Sequence, residues 1–100
     1  MLLLARIIAG EATGCPFEAK IAVAHVYENR IEAGIEGGWF GDAEPTTNDW
    51  LAVQWYTSFP DPTDGALYMI AETDRPKMPW LKTLKARWQC SDGRYIEAWN

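Results

Sequence analysis

Basic residues are scarce in this chain: nine Lys and Arg stand against fourteen Asp and Glu, for a net charge of −5. Phosphate recognition needs clustered cations, so the charge argues against a nucleic-acid partner and an uncharged sugar suits the chain better. Histidine occurs once and cysteine twice. One histidine and two cysteines outside any C-x-x-C pair cannot make the usual zinc sets or a dithiol redox motif, so no metal and no cofactor are expected. Cys15 and Cys90, near opposite ends of the chain, either form one disulfide or stay reduced, and a bridge requires an oxidising compartment. A Cys15–His25 dyad fails on geometry if Cys15 opens a helix, since ten residues of helix separate its members by about 15 Å. Cys90 and His25 stand in no cysteine-peptidase motif. Long apolar runs are missing as well. Nothing approaches the roughly 18 residues that a membrane span needs. The run Leu2 to Ala9 carries Arg6 in its middle and lacks a basic start and a small-residue cleavage site, so it reads as a core helix rather than a signal peptide.

What the chain does have is the makeup of a folded globular domain: 48% of its residues are apolar, 23% are charged, and six are tryptophan. A length of 100 residues leaves no room for a second core, so residues 1–100 are expected to form one domain. At this size folding buries somewhat over about 60% of the chain's surface. No internal repeat, low-complexity tract or linker interrupts it.

The expected order is about three helices followed by a small antiparallel sheet, an α+β architecture. The first helix spans about Leu2 to Ala9, with Gly10 as its stop and Glu11 just beyond. A second starts near Pro16, which suits a first turn, and continues through Phe17, Ile21, Ala24, Tyr27 and Ile31 to Gly34. Glycines and Pro45 make 34–45 a loop carrying Trp39 and Phe40. Thr46 or Thr47 caps a third helix with Trp50, Leu51, Val53, Gln54 and Trp55, ending before Pro60. Asp61 to Gly65 is turn chemistry, and Ala66 to Ile70 reads as a strand. After a loop with Pro76 and Pro79, two runs, Lys85 to Cys90 and Arg94 to Trp99, flank Ser91-Asp92-Gly93 as a hairpin.

Glu11 is the first candidate for chemistry. It has no charged neighbour downstream until Glu18, and carbonyls at a helix C-terminus disfavour an ionised carboxylate, which suits a general acid. The same local pattern also fits an exposed loop glutamate. The wider context adds to it. Leu4-Ala5-Arg6-Ile7-Ile8-Ala9-Gly10-Glu11-Ala12-Thr13-Gly14-Cys15-Pro16-Phe17-Glu18-Ala19-Lys20-Ile21-Ala22-Val23-Ala24 resembles the opening of the spore-cortex-lytic type of cell wall hydrolases, roughly L-A-R-x-I-x-G-E-A-x-G-E-P-x-E-G-Q-x-A-V-A. The match extends to Asn29-Arg30-Ile31. Asp61-Pro62-Thr63-Asp64-Gly65-Ala66-Leu67-Tyr68 resembles that family's D-P-T-x-G-A-L-Y segment, and the closing hairpin takes the place of its last two strands.

The resemblance implies a lysozyme-like fold and cleavage of peptidoglycan glycan strands between N-acetylmuramic acid and N-acetylglucosamine, with Glu11 as the acid. Many such enzymes are lytic transglycosylases, in which one carboxyl group protonates the leaving oxygen and then takes the proton of the muramic hydroxyl that closes an anhydro ring. A hydrolase instead needs a second carboxylate about 5 to 9.5 Å away, for which Asp42, Glu44 and Asp61 are the possible partners. The resemblance also marks Tyr68 as a cleft residue, although a strand tyrosine can equally anchor a core. The loop aromatics Trp39, Phe40 and Trp80 are expected to stack on sugars, whereas Trp50, Trp55 and Trp88, at periodic positions, are expected in the core. Asn29 and Arg30 read as structural. Asp61 and Asp64 offer a weak calcium site or, more simply, side chains bonding their own turn.

The chain departs from the pattern in places. The stretch from Arg30 to Gly65 is short, a Q-F-S segment is not recognisable, Cys15 replaces an acidic residue, and Ala19 and Lys20 replace Gly and Gln. The expectation is a compact, monomeric variant that acts at the bacterial cell wall. The want of a targeting or wall-anchoring segment points to a viral or prophage lysin or an excised catalytic domain. The rival reading is a non-catalytic glycan-binding module on the same fold.

Overall fold

The computed structural model describes residues 2–37, 39 and 43–100. Helix α1 (Leu2–Glu11) lays Leu4, Ile7 and Ile8 into the core, the i, i+3, i+4 set of one helix face. It runs past the expected stop at Gly10. Ala12 N–H still donates to Ile8 O at 2.9 Å, and the left-handed residue that turns the chain is Gly14, with φ 71°. Glu11 is therefore the last helical residue rather than the first loop residue.

Helix α2 (Phe17–Glu32) is the central element. Every residue from Ala19 to Ala24 is buried, and the alanines let neighbouring elements pack closely on several sides of the helix. Its end follows from Gly34, whose φ of 74° allows Gly34 N–H to donate to Ile31 O and Ile35 N–H to Arg30 O, a Schellman closure. Helix α3 (Thr47–Trp55) opens on a capping box in which Thr46 and Asp49 exchange side chain to backbone hydrogen bonds. One 3-10 turn, Tyr56–Ser58, continues it.

α3 corrects the expectation for its tryptophans. Trp50 and Trp55 are 43% and 48% exposed, while Asp49 and Ala52 face inward. Asp49 is only 1% exposed because Lys20 of α2 meets it at 2.6 Å. This ion pair sets the rotation of the helix, and the two rings turn outward. Trp88 does pack against the core, half-buried.

The sheet is antiparallel and three-stranded, in the order β1 (Tyr68–Ala71), β3 (Tyr95–Trp99), β2 (Leu84–Gln89). A 3-10 segment, Glu72–Lys77, fills part of the stretch expected as loop. The hairpin forms at the expected place, with Gly93 at φ 85° and Asp92 Oδ1 accepting from Arg94 N–H. Strand alternation sends Ile96 and Ala98 toward the helices. On the other face the fully buried Glu97 accepts from Arg75 and, at 2.9 Å, from Trp99 Nε1. Met69 of β1 joins Ile96, Ala98 and the residues of α1 and α2 in one continuous core.

Candidate active site

Glu11 ends α1 half-buried, and the backbone just after it is anchored from two directions. Lys20 Nζ donates to Ala12 O at 3.1 Å as well as to Asp49, linking the end of α1 to α2 and α3. Burial alone would raise the Asp49 carboxyl, but the hydrogen bonds from Lys20 and from Thr46 outweigh it and hold it below the usual value. On the other side Cys15 and Cys90 form a disulfide, and Ser91 N–H donates to Gly14 O at 2.8 Å. The turn after Glu11 is thereby fastened to the tip of the β2–β3 hairpin.

Glu11 lines a cleft of about 180 Å³ whose other walls are β1, the 3-10 segment after it, and the start of β3. Its apolar surface comes from Met69, Ile70, Met78 and Ile96. A second hollow of about 180 Å³ shares Met69, Ile70 and Met78 with the first and adds Tyr68, Trp39, Trp80 and Arg30. The two make one groove, acidic at the Glu11 end and aromatic at the other. Three of the four aromatics singled out from the sequence thus come together. Phe40, the fourth, lies outside the described residues.

Arg30, 8% exposed, organises the aromatic end. It donates to Leu67 O at 2.9 Å and Gly37 O at 2.7 Å, and its guanidinium lies 5.4 Å from the Tyr68 ring centre and 5.5 Å from that of Trp39. A larger concavity of about 530 Å³, between α1 and α2, reaches Trp39 and Arg30 but not Glu11. The expected structural role of Asn29 also holds: its Nδ2 donates to Asp61 Oδ2 at 2.9 Å and Ala66 O at 3.1 Å.

Of the possible partner carboxylates, Asp61 and Glu44 are not among the described residues that line the Glu11 cleft. Asp61 accepts from Asn29, from Thr63 N–H and Oγ1, and from Gly65 N–H, so both its oxygens serve its own turn. Burial pushes that carboxyl up, but these bonds outweigh it and hold it low. Its neighbour Asp64 reaches Lys85 at 3.4 Å. Glu44 lines a separate hollow with Lys20 and Asp49, and Asp42 lies outside the described residues. Asp74 and Arg94, which the sequence did not single out, do line the Glu11 cleft. Thiol chemistry is closed off by the disulfide. The His25 Nε2–H donates to Tyr56 O at 2.9 Å and Phe59 O at 3.1 Å, a role in holding the end of α3.

Among the described residues no helix is long and apolar enough to cross a membrane. No family model matches the sequence, and no curated protein matches it either. Among solved structures the chain is similar to the catalytic domain of the Bacillus cereus SleB protein, with a TM-score of 0.65 over 97% of this chain and 87% of that one, at 21% identity. The arrangement of three main helices followed by a three-stranded antiparallel sheet, expected from the sequence, is the one the two chains share.

Proposed function

We propose that the chain forms a peptidoglycan-cleaving catalytic domain, cutting the glycan strand between N-acetylmuramic acid and N-acetylglucosamine as a lytic transglycosylase with Glu11 as general acid and base. The observation that carries this reading is the groove: Glu11 is among the residues lining one hollow, and Tyr68, Trp39 and Trp80 line the adjoining one, which suits flat sugar faces. Both the spore-cortex-lytic motifs and the fold likeness to the SleB catalytic domain support it.

In this reading the C1–O bond breaks, its electron pair leaves on the glycosidic oxygen, and that oxygen takes the Glu11 proton. The muramic C6 hydroxyl oxygen then bonds to C1 and returns its proton to Glu11. Pinning of the turn behind Glu11 by Lys20 and the disulfide keeps the carboxyl in reach of the bond. Glu11→Gln keeps the shape of the side chain and removes the acid. That variant is expected to fold normally and to lose at least about a hundredfold in the rate of solubilising purified cell walls, the usual scale for a lost acid. Parental rates would end the assignment.

A further inference from the structure

We propose that Asp74 is a second catalytic carboxylate of the cleft, stabilising the positive charge that develops at the anomeric carbon as the glycosidic bond breaks. The inference rests on the reading of Glu11 given above and adds a group to the same site.

Glu11 and Asp74 reach one cleft from different walls, the first from the end of α1 and the second from the 3-10 segment after β1. Asp74 is the one other acidic side chain among the described residues that lines it. The remaining carboxylates with strong partners are committed elsewhere. Asp49 pairs with Lys20, Asp61 holds its turn, and Glu97 bonds Arg75 and Trp99 on the outer face of the sheet. Among the described residues Asp74 is held by Lys77, at 3.3 Å, in an exposed pair three residues apart along the chain. Such a pair is weak and easily exchanged for another partner.

Arg94, the cation lining the cleft, makes its contacts with groups other than Asp74. The Arg94 guanidinium points to Thr13 O at 3.3 Å and to Asp92 at 3.6 Å, bracing the turn that follows Glu11. Met69, Ile70, Met78 and Ile96 supply the apolar part of the lining, so a glycan strand that displaces water from the cleft leaves the Asp74 charge acting more strongly on a developing one than it does in water. Cleavage of a glycoside passes through an oxocarbenium-like state, so a carboxylate beside C1 favours that state over the neutral ground state. Asp74 gains and loses no proton in the step, and the proton balance at Glu11 is unchanged.

The test is steady-state cleavage of purified peptidoglycan by the whole chain carrying Asp74→Asn, Asp74→Glu or Lys77→Met, beside Glu11→Gln. Asp74→Asn is expected to lower kcat about a hundredfold, the scale of a lost electrostatic group, while KM stays within about twofold. Asp74→Glu restores most of the rate, and Lys77→Met keeps it, because the charge and not its surface partner acts. A parental kcat in Asp74→Asn, or a loss confined to KM, overturns the role of Asp74. A silent Glu11→Gln in the same assay leaves the Glu11 reading standing, whereas an active one removes both.

Discussion

The Arg30 guanidinium bonds two loop carbonyls and sits near two aromatic rings, so its planar fork does what a lysine cannot. Arg30→Lys is expected to cost about 1.5 to 3 kcal/mol of stability, the worth of a hydrogen bond to a charged group. It should also raise KM severalfold with kcat little changed, because Trp39 and Tyr68 lose their common brace while Glu11 is untouched; thermal melts and kinetics on cell walls read the two effects separately. Gly14 is a backbone case. At φ 71° an added Cβ would stand 2.7 Å from Ser91 Oγ, so Gly14→Ala should cost at least about 1 to 2 kcal/mol by denaturant titration. At this scale Glu11 and Tyr68 stood out as candidates in the sequence because each lies inside a local motif, and both line the hollows described. Asp74 and Arg94 did not, since their place beside Glu11 comes from segments more than sixty residues apart meeting at one cleft.

Between elements, the strongest ties converge on the turn after Glu11. The Cys15–Cys90 bridge closes a loop with a sequence separation of 75, which in the chain-entropy account contributes about 4 kcal/mol. Reduction, or paired Cys15→Ala and Cys90→Ala substitution, is expected to lower the melting temperature markedly and to cut activity further than stability alone explains, because the turn is released from the hairpin. A reduced protein with parental melting and activity would show the bridge to be idle. Lys20→Met leaves Asp49 buried without its cation and should cost about 3 to 5 kcal/mol, checked by urea unfolding. Helix α2 and the hairpin could be read from the sequence because Pro16, Gly34 and Asp92-Gly93 are local signals. The facing of α3 could not. Its inward side is fixed by a charge pair across 29 residues, and hydrophobic periodicity alone put Trp50 and Trp55 on the wrong side.

For the whole molecule, Asp49, Asp61 and Glu97 share one response to acid. Burial pushes each carboxyl up, and hydrogen bonds from Lys20, from Thr63 and Asn29, and from Arg75 respectively outweigh it, so all three lie below their ordinary values of 3.8, 3.8 and 4.5. A carboxyl lowered by folding adds stability that is complete above its unfolded value and is lost as pH falls through the folded one. The melting temperature is therefore expected to change little from about pH 8 to 5 on account of these groups and to drop steeply below about pH 4; a flat profile to pH 3 would contradict the pairings. The fold class was legible because helix and strand signals fall in separate halves of the chain. The joined groove was not, because it exists only once α1, α2 and the sheet meet. What the groove does is tested most directly by mass spectrometry of the soluble fragments released from purified cell walls. The account predicts disaccharide-peptides ending in anhydro-muramic acid, one water lighter than hydrolytic products and absent with Glu11→Gln. Protein that stays bound to the walls and releases no cut glycan would contradict it.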